Sequence, residues 1–183
     1  MSPNRNPLFL PALRAKMGNW IYYITLMNMK EVASRISVVD AIQSSTSLKE
    51  QSQRALMKKS ERIAEYLLGE EQRFCNAIVI GSYGGNPNWH DLSVRGMKGV
   101  ADVPEHPAGS IGFLELTGDE TLFAIDGRHR VQGIKEAVVQ DRSLEEEEVC
   151  AIFVKGVPAS ERDKDPDGFE RTRSLILALN RRA

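Results

Sequence analysis

Leu122-Phe123-Ala124-Ile125-Asp126-Gly127-Arg128-His129-Arg130-Val131 is the stretch that decides how this chain is read. Four apolar residues in a row suit a buried strand. Val131, Ile134, Ala137 and Val138 then recur at helical spacing. Asp126 to Arg130 therefore fall at a strand-to-helix turn. There the first backbone N–H groups of the helix have no internal partner, and the helix dipole favours an anion. Gly127 lets the backbone bend and approach a ligand closely. Arg128, His129 and Arg130 bring up to three positive groups to one point, with Asp126 free to bind a metal or take a proton. A plainer reading makes Asp126 an N-cap and leaves the arginines on a solvated face. Two arginines in a first helical turn oppose the dipole, however, and that cost favours an anionic partner.

Outward from this turn, Ser110 to Leu116 and Leu122 to Ile125 read as a hairpin across Thr117-Gly118-Asp119-Glu120. Trp20 to Leu26, Asn76 to Ile80 and Val149 to Val154 have strand composition. Lys30 to Ile36 suggests a short helix. Ser47-Leu48-Lys49-Glu50 has capping-box spacing and opens a long helix that Gly69 ends. Leu56, Ile63 and Leu67 share one face of that helix. Its basic run, with Lys58, Lys59 and Arg62, reads as a solvated face rather than a nucleic-acid site. Phe169, Leu175, Ile176 and Leu179 mark an amphipathic final helix.

Residues 1–18, with three prolines, read as an N-terminal arm, and 19–183 as a single domain. Residues 86–109 read as a long apolar-poor connection, in which Trp89 either anchors the loop or stacks on a base, the anchor being favoured. Gly81 to Asn86 is glycine-rich but lacks the Lys-Ser/Thr that a P-loop needs. The mixed element order predicts an α+β fold, a mixed sheet with flanking helices.

The chain has 183 residues, 42% of them hydrophobic and 27% charged, which fits an ordinary soluble globule. A net charge of −1 argues against strong autonomous DNA binding, which usually needs a basic excess. Cys75 and Cys150 fit no zinc spacing and read as buried reduced thiols, which suits a cytoplasm. No apolar run reaches the length of a membrane span, and no signal-peptide core precedes Pro11. A soluble, cytoplasmic protein is the expectation.

The string Asp126-Gly127-Arg128-His129-Arg130 resembles the Asp-Gly-Gln-His-Arg signature of the DGQHR-domain family. Its members include the DndB-type proteins associated with DNA phosphorothioate modification. That family resembles the wider ParB/sulfiredoxin-like superfamily, whose Gly-x-x-Arg phosphate box corresponds to Gly127-Arg128-His129-Arg130. Arg62 to Leu67, Asn76 to Ile80, Val149 to Val154 and Leu177 to Arg181 extend the likeness, so that it runs from about Trp20 onward. The family's Gln is Arg128 here, which adds positive charge. DndB-type relatives are usually longer, so whatever their C-terminal portions do is expected to be absent.

The resemblance implies a ParB/sulfiredoxin-like fold and a nucleotide-binding protein with weak Mg²⁺-dependent NTPase activity, serving a DNA-modification or phage-defence system. In that reading Gly127, Arg128, His129, Arg130 and Asn180 hold phosphate. Asp126 and Asn180 orient Mg²⁺, and Asp126 and His129 take the catalytic roles. The alternative is a non-catalytic DNA-binding regulator or assembly subunit of the DndB type, with DNA and DNA-modification proteins as partners.

Overall fold

A computed structural model describes residues 6–18, 20–38, 46–92 and 109–155. The chain divides into two compact units. One takes in Met1–Leu26, Gly81–Thr121 and Ile152–Ala183, the other Met27–Ile80 and Leu122–Ala151.

The first unit is built on antiparallel strands β1 (Leu8–Met17), β2 (Trp20–Asn28), β5 (Asn88–Asp91) and β6 (Ile111–Leu116), in the order β2-β1-β6-β5. The register sets Leu13 opposite Ile24 on one side and Ile111 on the other, and Trp89 opposite Leu114. Leu10, Ala12, Leu114 and Leu116 are buried together with Tyr23. Trp89 lies over Gly112, where a Cβ would come within 2.7 Å of the indole and 2.1 Å of the His90 carbonyl oxygen. Its ring also meets Tyr23 at 5.4 Å and the Arg14 guanidinium at 5.9 Å. Trp89 therefore anchors its strand. Burial raises the Tyr23 hydroxyl pKa, with Arg14 opposing.

Three expectations are corrected here. Leu8–Met17, placed in an N-terminal arm, is a central strand. Asn88–Asp91, placed in a long connection, is strand β5. The hairpin across Thr117–Glu120 does not form, because β6 lies between β1 and β5 while β7 (Thr121–Asp126) neighbours β3 and β4. The turn between them is shaped instead by the Glu120 carboxylate. It accepts hydrogen bonds from the Thr117 N–H and hydroxyl and the Gly118 N–H, at 2.8–2.9 Å.

In the second unit the strand order is β3-β7-β4-β8, with β3 spanning Ile36–Ser37, β4 Ile78–Tyr83 and β8 Glu148–Lys155. Strand β3 pairs β7 in parallel, Ile36 opposite Leu122. With antiparallel pairing in the first unit, the fold is mixed α+β, as expected. All three described α-helices belong to this unit: α1 (Met29–Arg35), α2 (Thr46–Gly69) and α3 (Arg128–Gln140).

Asn28 caps α1 by accepting from the Glu31 N–H at 2.9 Å, and the Arg35–Glu31 pair braces its last turn. Helix α3 presents Val131, Ile134 and Ala137 to the core, all fully buried. Against α2 its contact is close, since a Cβ on Gly133 would reach the Ile63 side chain at 2.7 Å and the Ser60 carbonyl oxygen at 3.0 Å. Buried Ser60 donates to the Met57 carbonyl oxygen at 2.8 Å and to Glu136 at 3.1 Å, tying the two helices. A 3-10 turn, Arg142–Glu146, then leads into β8. Arg73 clasps the Glu147 carboxylate and donates to the carbonyl oxygens of Leu67 and Glu70 at 3.0 Å, fixing the stretch that carries the chain from α2 to β4.

Candidate functional site

Leu122, Phe123, Ala124 and Ile125 are all buried, so the middle of β7 is covered on both faces, and its last residue, Asp126, is exposed. The chain turns at once into α3. Gly127 takes the cap position with φ +83° and ψ +22°, a left-handed conformation that an L residue adopts only under strain. No side chain caps the helix through this residue. Its carbonyl accepts the first helical hydrogen bond from the Val131 N–H at 2.9 Å.

Asp126 is therefore not the cap residue, although its carboxylate takes the Gly127 N–H at 2.7 Å. The side chain is 71% exposed and keeps the rest of its acceptor capacity.

Arg130 folds back over the turn. Its Nη2 donates to the Ala77 carbonyl oxygen at 3.1 Å and reaches Asp126 at 3.4 Å. The guanidinium lies so close to Gly127 that a Cβ there would stand 2.9 Å from Nη2 and 3.0 Å from Nε. Gly127 is thus required twice, by its φ and by the arginine above it. Arg130 Nε is buried and has no hydrogen-bond partner among the described residues. A charged donor in that position is costly unless an acceptor reaches it.

His129 is half-buried, and its pKa lies below the ordinary imidazole value. Burial is the largest cause, followed by the positive charges of Lys59, Arg128 and Arg130, with Asp126 opposing. The ring thus reports a net positive field at the start of α3. Lys59 enters that field from α2. It is exposed, as expected of a solvated face, and the packing of α2 on α3 brings its charge within range of the ring. Lys58 and Arg62 are exposed on the same helix. Cys75 also feels Arg130, but burial dominates and raises its thiol pKa, so it is no thiolate nucleophile at neutral pH.

Five of the site residues thus form one turn, with Arg130 tied to the backbone before β4. Asn180 lies outside the described residues. Among those residues there is no group of three or more His, Cys, Asp and Glu side chains able to hold a metal ion, and no helix long and apolar enough to cross a membrane.

The chain belongs to a known family. The family model of DndB, described as DNA-sulfur modification-associated, matches residues 10–165. The chain is a member of the DndB family and so belongs with DNA-sulfur modification. No curated protein and no solved structure matches it.

Proposed function

We propose that this DndB-family chain binds the phosphates of a nucleoside triphosphate at the Asp126–Arg130 turn, within a DNA-sulfur modification system. The observation that carries this reading is the buried, unpartnered Nε of Arg130 inside a cluster of cations that already depresses His129. A phosphate oxygen would satisfy that donor and neutralise the local charge. Arg128 and Lys59 would contact neighbouring phosphates, the latter as a point charge on a flexible stem.

Mg²⁺ fits this site only together with the nucleotide. Asp126 offers one exposed carboxylate, and Mg²⁺ prefers oxygen ligands from phosphates and water beyond one or two carboxylates. The bound metal would supply charge neutralisation across the phosphates. Asp126 would hold a metal-bound water on its free oxygen while keeping the Gly127 N–H. His129, its pKa held low by burial and the neighbouring cations, would turn a ring nitrogen towards the site and orient a water for weak hydrolysis. Asn180 is a further candidate for the metal-bound water.

Titration calorimetry of ATP, GTP, CTP and UTP, with and without Mg²⁺, tests the reading, followed by phosphate release. Binding of at least one triphosphate, strengthened by Mg²⁺, is expected. No binding by any of the four would overturn it.

A second reading draws on the exposed Lys58 and Arg62 beside Lys59, which extend positive charge along α2 beyond a single phosphate. A DNA backbone would use that extension. Salt separates the two, because DNA affinity falls steeply with salt through counterion release whereas a pocketed triphosphate loses less.

A further inference from the structure

Strand β1 is apolar throughout its outward face, and its charges lie on the other. Leu10 and Ala12 are buried, and the alternation of strand side chains puts Arg14 and Lys16 on that same side. The opposite side carries Phe9, Pro11, Leu13, Ala15 and Met17, with no charge among them. Through the register, Leu13 meets Ile24 of β2 and Ile111 of β6, and Pro11 meets Phe113. Among the described residues, charge enters this face only at its β5–β6 edge, where Glu115 is paired with His90 at 2.6 Å and Asn88 at 3.5 Å. Phe9, Leu13, Met17, Ile24, Leu26 and Phe113 are between 39% and 71% exposed. With large side chains offering about 200 Å² each, that is on the order of 600 Å² of contiguous apolar surface, the upper end for a monomer.

We infer that the β2-β1-β6 face is a self-association surface, occupied by the same face of a second copy of this chain. Two features select a second copy. The area is close to one partner's share, about 800 Å², of a stable protein–protein interface. In a two-fold dimer, moreover, one patch must complement itself, which an uncharged face with a charged edge does and a face bearing one sign of charge does not. Two such faces pack as a sandwich about 10 Å apart. A strand buried on both faces also accounts for the near-continuous apolar character of Leu8 to Leu13.

The test is sedimentation velocity on the full chain between about 1 and 100 µM, with Leu13→Glu and Met17→Glu beside the wild type. The wild type is expected to dimerise, and each variant to weaken the dimer at least about a hundredfold while keeping its far-ultraviolet spectrum. Met17, 71% exposed at the end of β1, has little internal packing to lose, so it decides the matter where Leu13→Glu fails to fold. A wild type that stays monomeric at the highest concentration overturns the inference, and the face then belongs to another part of the chain or to a different partner. A dimer that survives folded Met17→Glu undiminished overturns it equally.

Discussion

Gly127→Ala separates a turn built around Arg130 from an ordinary helix start. At φ +83° an alanine costs about 1–2 kcal/mol in backbone strain. Its Cβ would also stand 2.9 Å from Arg130 Nη2, closer than real contacts allow, and 3.0–3.2 Å from Nε and Cζ, so that flexible group must shift. The shift loosens the 3.1 Å hydrogen bond to the Ala77 carbonyl, worth about 1.5 kcal/mol for a charged donor. The loss then comes to about 3 kcal/mol, or roughly 6–12 °C in melting temperature for a chain of this length. Far-ultraviolet dichroism during urea unfolding is the suitable assay, because all the described helices lie in the unit that holds the turn. Gly69→Ala is the control, since a Cβ there meets nothing within 4 Å, and it is expected to stay within about 0.5 kcal/mol of wild type. Gly127→Ala should also weaken triphosphate binding, because the displaced guanidinium is no longer held over the turn. A Gly127→Ala protein as stable as Gly69→Ala would refute the reasoning.

Asp126→Asn keeps an acceptor for the Gly127 N–H and removes a negative charge, so stability should change by less than about 1 kcal/mol. Metal-free triphosphate should bind more tightly, while any Mg²⁺-dependent phosphate release falls, both readable in the same titration and release assays. His129 gives a pH signature. Because its folded pKa lies below the unfolded value of about 6.5, it favours the native state above that pH, and the contribution is lost as pH falls through the depressed folded value. His129→Gln should flatten that part of the stability profile in urea titrations at stepped pH. A bound anion raises the imidazole pKa, so triphosphate binding near pH 6 should take up protons, measured by calorimetry in two buffers of different ionisation enthalpy. Lys59→Ala should lower triphosphate affinity about three- to tenfold, a loss of about 0.7–1.4 kcal/mol, without changing the unfolding midpoint.

The strand-turn-helix at Asp126 was legible because its signals are local: four apolar residues, a glycine, then a 3.6-residue apolar period. Strand β1 was not. Pro7 and Pro11 count against a strand interior, and Leu8 to Leu13 lacks the alternation that marks a half-buried strand. It tolerates Pro11 where the proline carbonyl accepts the Thr25 hydroxyl at 2.6 Å. The false hairpin came from adjacency in sequence. Of the true partners of β6, β1 lies about a hundred positions away and β5 precedes it, and no turn chemistry announces either. The influence of exposed Lys59 on His129 was hidden for the same reason, since it depends on Gly133 admitting α2 close to α3. What sequence spacing could and did supply was the charge on Arg128, His129 and Arg130, without the back-folded path that leaves Arg130 Nε unpaired.

The most direct measurement is the affinity of inorganic triphosphate for the wild type and for Arg130→Ala, titrated calorimetrically at one fixed salt concentration. The wild type should bind. The variant should lose about ten- to a hundredfold, the equivalent of a charge-assisted contact of about 1.5–3 kcal/mol, while its helical spectrum is kept. Equal affinity in the two proteins would contradict a phosphate site at this turn.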